Sequence, residues 1–395
     1  MTEEVAEFRS FDSLAFANGA PSGAATLKQD CDDFQVTEEL GFPHSGDGEH
    51  LCVQIKKTDL TTTALNRHLQ DRLNLDARAI GYAGMKDRRA VTSQWFSLKI
   101  PGADSFRDEK ILADIENDSV KVLDHQRNSR KIKIGSHRGN HFRIRLRNCN
   151  ESERVPIREK WEERLISFSA EGLPNYFGPQ RFGRDFSNLQ QAWQLMNNAV
   201  GAAANSASRA NRRKKSGRNA MLFSATRSYL FNLQLSHRLK LANWDQYLQG
   251  DVLNLDSSNR CFLLEQGQEW DDELQQRLDS LDIHITGLLP GIIESKERYI
   301  SSGKSADIED VVCKEYPLLL KGLEHYGLKA SRRPFRLLPQ GLKWSWEAGP
   351  ESGAESEGEC KKADGDSTDL ILEFTLPKGA YATSLLRELC KTNNN

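Results

Sequence analysis

Residues 79–100 read AIGYAGMKDRRAVTSQWFSLKI. Gly81 and Gly84 punctuate a turn, and the second half, rich in Val, Thr, Trp, Phe and Ile, has the composition of a strand. Upstream, Leu51 to Ile55 reads as a short strand. Thr61 to Leu73 reads as a helix, with threonines suited to capping and Leu65, Leu69 and Leu73 at helical spacing. Downstream, between Lys131 and Arg147, two more strands are expected: KIKIG alternates Lys with Ile, and FRIRLR alternates Arg with Phe142, Ile144 and Leu146, so that one face is apolar and the other cationic.

Past Pro156 the character changes to helices, for example Phe186 to Met196 and Asn219 to Lys240. The latter places Leu222, Thr226, Tyr229, Leu230 and Leu233 on one side. Strand-like material returns only after Arg336, in LLPQGLKWSWE and then DLILEFTLP, with a closing helix near Thr383 to Lys391. The simplest account is an α+β core domain, residues 1–171 and 338–395, interrupted by a mainly helical insertion over 172–337; a chain of 395 residues suits two folding units. Two segments read as unstructured: the small, polar, basic stretch 201–219 and the acidic stretch 347–369, the latter a long flexible loop between two strands.

Hydrophobic residues make up 38% of the chain and charged residues 28%, enough to bury a core and unlike a disordered composition. No stretch approaches the length of a spanning helix, and the acidic start MTEEVAEFRSFD has no apolar signal region, so a cytoplasmic protein with no membrane partner is expected. The seven cysteines are spread out with no C-x-x-C, which fits reduced structural thiols. His137 and His141 flank Gly139 and Asn140, poor material for a helix face, so no metal site is expected. Nor is there a phosphate-cradling glycine loop, a nucleophile elbow or an H-E-x-x-H, which argues against nucleotide or metal cofactors.

The chemistry therefore lies in charge. Residues 121–147 hold nine basic side chains against one acid, and 205–218 hold six basics and no acid; the stretch 347–369 carries eight acids and two lysines. A single basic run is usually a solvated face. Two of them, one on alternating strand positions, point toward a phosphate-tracking surface, and Trp95, Phe96 and Phe142 supply ring faces of the kind that stack on unpaired bases, although such rings are more often core. The sharpest feature is Asp87, at a glycine-supported turn between Lys86 and the pair Arg88 and Arg89. It reads either as an exposed ion-pairing turn or as a carboxylate set among cations to act as nucleophile or base.

The turn G-Y-A-G-M-K-D-R-R-A-V-T-S-Q-W-F resembles the signature of the tRNA pseudouridine synthase D (TruD) family. CDDFQVTEEL at 31–40, GEHLCVQIKK at 48–57, RKIKIGSHRGNHFRIRLR at 130–147, GLPNYFGPQRFGRD at 172–185, LFSATRSYLFN at 222–232 and LPKGAYATSLLREL at 376–389 resemble its other blocks in the family's order. The resemblance runs from about Lys28 to about Leu389 and implies a pseudouridine synthase catalytic core, a mixed or antiparallel sheet with helices, carrying the family's own insertion domain. By resemblance Asp87 is the catalytic aspartate. Phe34, Asn140, Phe142 and Tyr381 fall where the family contacts the target nucleotide, with Lys28 close by; some relatives carry Phe at the position of Tyr381.

The resemblance further implies a cofactor-independent tRNA-modifying enzyme, expected as a monomer, whose usual bacterial target is uridine 13 of the D-arm in a subset of tRNAs. Uracil leaves C1′ of its ribose, turns, and rejoins through C5 without redox change. An aspartate serves this by attacking C1′ or by helping to remove a ribose proton, while Phe142 would stack on the freed base and Asn140 would bond the ribose or orient Asp87. Lys86, Arg88, Arg130, Lys131, Lys133, Arg143 and Arg145 are the expected RNA-backbone contacts. The alternatives are a non-catalytic RNA-binding or tRNA-chaperone protein using the same basic surface and, more weakly, a base-modifying transferase.

Overall fold

The computed structural model describes residues 7–102, 104–150, 157–201, 219–258, 260–265, 267–293, 300–348 and 368–394. The basic run 205–218 and nearly all of the acidic stretch 347–369 lie outside the described residues. The chain forms two compact units: one of residues 21–169, 339–382 and 389–395, the other of residues 1–20, 170–338 and 383–388.

The first unit is built on one mixed sheet. Its strands are β1 (Ala24–Leu27), β2 (Phe34–Leu40), β3 (His50–Thr58), β4 (Ile80–Tyr82), β5 (Val91–Lys99), β6 (Val120–Asn128) and β7 (His137–Asn150). Its helices are α1 (Thr62–Leu73), α2 (Ser105–Ile115) and α3 (Ile157–Ala170). The chain then enters the second unit through β8 (Leu173–Pro174), α4 (Ser187–Gly201), α5 (Ala220–Lys240), β9 (Leu253–Leu255), β10 (Cys261–Phe262), α6 (Asp272–Asp279), β11 (Ile283–Leu289), α7 (Gly303–Glu315), α8 (Pro317–His325), β12 (Ser331–Pro334) and β13 (Arg336–Leu337). It closes with β14 (Gln340–Ala348), β15 (Thr368–Pro377), α9 (Ala382–Leu389) and β16 (Lys391–Asn394). The sheet of the first unit runs β14-β15-β7-β2-β5-β3-β6, with β1 and β16 joined beside β7 and β4 beside β5. β2 and β5 pair in parallel; the other neighbours on that path are antiparallel.

The sequence explains the centre of this sheet. From Val91 to Leu98 every residue of β5 is buried, so it carries apolar or small polar side chains on both faces in place of a simple alternation. On one face Leu51, Val53, Ile55, Phe96 and Leu98 pack with Leu65 and Leu69 of α1 and Leu112 and Ile115 of α2. The helix α1 begins where its threonines place it, with Thr61 Oγ1 accepting from the Ala64 amide at 3.0 Å.

Two expectations change. KIKIG is a loop and not a strand: Ile132 is buried with Cys52, Ala83 and Trp95, whereas Ile134 is 80% exposed, so the alternation yields no continuous buried face. Its main chain bonds instead to other elements, the Ile132 amide to Ser97 Oγ at 2.9 Å and the Gly135 amide to the Ala83 carbonyl at 2.7 Å. In the second unit strands appear before Arg336. β10-β9-β11-β12 form a sheet beside the helices, its strands short enough that the helical stretches around them dominate the pattern. The helices expected near 186–196 and 219–240 are α4 and α5.

Candidate active site

Asp87 lies on the loop between β4 and β5, its carboxylate about half exposed. Buried polar side chains hold this loop residue by residue. Lys57, at the end of β3 and fully buried, donates from Nζ to the Asp87 carbonyl at 2.7 Å and to the Leu60 carbonyl. Thr62, in the first turn of α1, accepts from the Lys86 amide at 2.9 Å and donates to Gln94 Oε1; Gln94 Nε2 in turn donates to the Gly84 carbonyl at 3.1 Å. Lys86 turns inward, where Nζ meets Glu38 Oε2 at 2.6 Å with both side chains nearly or fully buried. The other Glu38 oxygen accepts from the Trp95 amide, which satisfies the carboxylate twice.

The cation that pairs with Asp87 comes from far along the chain. Lys28, just after β1, reaches Asp87 Oδ2 at 2.7 Å while its ammonium lies 3.9 Å from the centroid of the Phe34 ring. Its backbone sits at φ +58°, in the left-handed region that a non-glycine residue enters at a conformational cost. The neighbours that sequence placed around Asp87 are engaged elsewhere: Lys86 with Glu38, Arg88 with Asp59 at 3.2 Å, and Arg89 with the Gln29 carbonyl at 3.0 Å.

Phe34 and Phe142 form an edge-to-face pair with ring centroids 6.1 Å apart, and Phe142 also stacks on Phe374 at 5.4 Å. β7 pairs Phe142 with Val36 on one side and Phe374 on the other, so only 7% of Phe142 meets solvent. Asn140, two residues earlier on β7, stands opposite Glu38 of β2, and its buried Oδ1 has no hydrogen-bond partner. Tyr381 is half-buried in the turn that leads into α9.

Burial pushes the Lys57 ammonium down to about 8, against the opposing pull of Asp87. His137 is lowered from its usual range chiefly by burial and next by Lys86. Its ring would lie 3.5 Å from a Cβ placed on Gly84, so the loop passes close to β7 at that glycine.

The expected RNA-contact residues separate into two groups. Arg143 pairs with Glu373 at 3.2 Å, and Arg145 with Asp369 at 3.2 Å and Glu347 at 2.5 Å, so the cationic face of β7 is largely matched by acids on β14 and β15. Arg130 and Lys133 form no ion pair with a described residue, and Lys131 donates to the Arg78 carbonyl at 2.6 Å. Lys57, Thr62, Gln94, Glu38 and Phe374 were not anticipated as parts of the site. The order K-x-x-x-x-T before the helix was the only linear hint of the first two, and nothing in it names the loop they grip.

Among the described residues no group of three or more His, Cys, Asp or Glu is placed to hold a metal ion, and no helix is long and apolar enough to cross a membrane. The chain matches the family model described as tRNA pseudouridine synthase D (TruD) over residues 12–191 and 194–389. It is 35% identical to tRNA pseudouridine synthase D of Psychrobacter arcticus over 388 residues, covering 93% of this chain and 91% of the relative. It is 36% identical to that of Nitrosococcus oceani over 381 residues, covering 96% and 94%. The crystal structure of a putative tRNA pseudouridine synthase D from Methanosarcina mazei superposes with a TM-score of 0.65 over 99% of both chains at 24% identity, a likeness of fold. With a sheet that carries Asp87 on a buried-polar clamp and with matches that span almost its whole length, this chain belongs to the tRNA pseudouridine synthase D family.

Proposed function

We propose that this protein isomerises uridine to pseudouridine in tRNA, with uridine 13 of the D-arm in a subset of tRNAs as its target and Asp87 as its catalytic residue. In this reaction the N1–C1′ bond breaks, uracil turns so that C5 faces C1′, a C5–C1′ bond forms, the C5 proton leaves to solvent and the freed N1 takes up a proton. The observation that carries the reading is the exposed carboxylate of Asp87 on a loop fixed from within by Lys57, Thr62, Gln94 and the Lys86–Glu38 pair. A reacting group held this way keeps its geometry while the target nucleotide, flipped out of the RNA stack, enters.

In this reading Asp87 acts on C1′ as nucleophile or on a ribose proton as base, and Lys28 sets the carboxylate's direction. The unpartnered Oδ1 of Asn140 offers an acceptor for a ribose or uracil group, and Phe34, Phe142 and Tyr381 bound the space for the base. Residues 172–337 act as the family's insertion domain. Because Lys86 is buried, the backbone contacts fall to Arg88, Arg130, Lys131 and Lys133, with Arg143 and Arg145 able to contribute once their acids yield.

Tritium release from C5-labelled uridine in tRNA tests this directly. Wild-type turnover with an inactive, still tRNA-binding Asp87→Ala variant supports it. Equal release by both proteins removes Asp87 from the mechanism, and RNA binding without any release selects the non-catalytic chaperone reading.

A further inference from the structure

A cavity of about 800 Å³ opens where the connection after β2 meets the loop between β6 and β7. Its lining includes Phe42, His44, Arg130, Lys131, Lys133 and Ser136, and no residue of the lining is acidic. The two loops are tied together: the Ser45 amide donates to Asn128 Oδ1 at 3.0 Å, the Ser129 amide donates to Ser45 Oγ at 2.8 Å, and the Gly46 amide donates to the Arg127 carbonyl at 3.0 Å. The wall is also fixed to the catalytic loop through the Gly135–Ala83 hydrogen bond, four residues before Asp87.

Three features of this cavity call for a ligand. Arg130 and Lys133 are exposed cations with no carboxylate partner among the described residues, in contrast to the paired arginines of β7. Both ring nitrogens of His44 and the Ser136 hydroxyl are buried in the wall without hydrogen-bond partners, a state native structures rarely leave unanswered. The rings form an angled aromatic wall, with His44 tilted on Trp95 at 4.5 Å and Phe42 edge-on to His44 at 6.2 Å, against one ring of which a planar heterocycle can pack. A bare anion would use the cations and leave the aromatic and hydroxyl wall unexplained; an apolar molecule would do the reverse. A nucleotide uses both, and the volume suits one or two of them.

We propose that this cavity is a second nucleotide-binding site, which takes an unpaired nucleotide of the RNA substrate other than the target uridine. Its base lies against Phe42 and His44, and its phosphate lies on Arg130 and Lys133. The assignment rests on the RNA substrate class proposed above and adds to it a built pocket that captures a base, where the sequence offered only a charged surface.

The test compares tRNA binding of the full-length wild type, Phe42→Ala, Phe42→Trp and Arg130→Ala/Lys133→Ala across a range of salt concentrations. Stacking releases no counterions, so Phe42→Ala should weaken binding about tenfold with an unchanged salt slope, and Phe42→Trp should restore it. The double variant should weaken binding at least tenfold and reduce the slope by about 0.7, the value for one lost single-strand phosphate contact. Wild-type affinity in Phe42→Ala would overturn the base pocket, and an unchanged slope in the double variant would overturn the phosphate contact. Uridine monophosphate and inorganic phosphate serve as free-ligand probes. Micromolar binding of the mononucleotide that both sets of variants abolish, with tRNA affinity untouched, would overturn the RNA assignment in favour of a free nucleotide. Wild-type tRNA binding without pseudouridine formation would sink the functional reading while leaving the pocket intact; pseudouridine formation with variants that bind like wild type would do the opposite.

Discussion

The buried ammonium of Lys57 donates to the main-chain carbonyl of Asp87 at 2.7 Å, so the candidate catalytic residue is gripped by its backbone inside the protein while its side chain stands at the surface against Lys28. The two lysines divide the work: one fixes where the residue is, the other where its carboxylate points.

Lys57→Met should leave the Asp87 and Leu60 carbonyls without this donor, each such loss destabilising the fold by roughly 1–3 kcal/mol. Turnover should fall with little change in KM. A pH signature identifies the ammonium. In the unfolded chain lysine keeps its proton to 10.5, whereas native Lys57 gives it up near 8. Between those values the unfolded state binds more protons, so this contribution to stability is absent below about pH 8 and grows toward 10.5. The stability difference between wild type and Lys57→Met, from urea melts at pH 7 and 9.5, should therefore widen at the higher pH; a constant difference would contradict the assignment.

Glu38→Gln and Lys86→Met each leave one member of a buried ion pair uncompensated, an effect of roughly 3–5 kcal/mol. The double variant Glu38→Gln/Lys86→Met should lose less than the sum of the two single changes, because no orphan charge remains. Additive losses in a double-mutant cycle would mean that the two groups do not depend on each other.

Lys28→Gly separates backbone strain from function. Glycine accepts φ +58° freely, so stability should stay within about 1 kcal/mol of wild type, while pseudouridine formation should drop by about 100-fold as the Asp87 carboxylate loses its partner. Thermal melts and single-turnover tritium release on the same preparations provide both readings. Retained turnover would leave Lys28 with no part in orienting Asp87.

Acid should weaken the fold before its carboxylates titrate. His44, His50, His137 and His237 are all lowered from 6.5, chiefly by burial. Unfolded histidines take up protons as the pH falls below 6.5 while these native ones resist, so stability that is full above 6.5 is lost on going to lower pH. Urea midpoints should be lower at pH 5.5 than at pH 7.5, and His44→Phe should shrink the gap. Equal midpoints at both values would show that these rings protonate in place.

The local elements were legible where a single period dominates. Thr61 to Leu73 announced a capped amphipathic helix, and FRIRLR announced a strand with an apolar face, because both patterns are fixed by side-chain spacing along one element. KIKIG shows the limit: the same alternation became a loop once Ile132 found a core and Ile134 did not. The short strands of the second unit were missed because two to seven residues carry too little pattern to outweigh the helices around them.

Sequence alone singled out Asp87 as the candidate catalytic residue, since its glycine turn and the ordered blocks around it are properties of the linear chain. Which charges serve it was decided only by the tertiary structure. The neighbouring Lys86, Arg88 and Arg89 are drawn to Glu38, Asp59 and the Gln29 carbonyl, while Lys28, 59 residues away, supplies the ammonium. The physical reason is that a charge pairs with the opposite charge nearest in space after burial has set the geometry, and sheet pairing brings together carboxylates and cations that spacing along the chain cannot reveal.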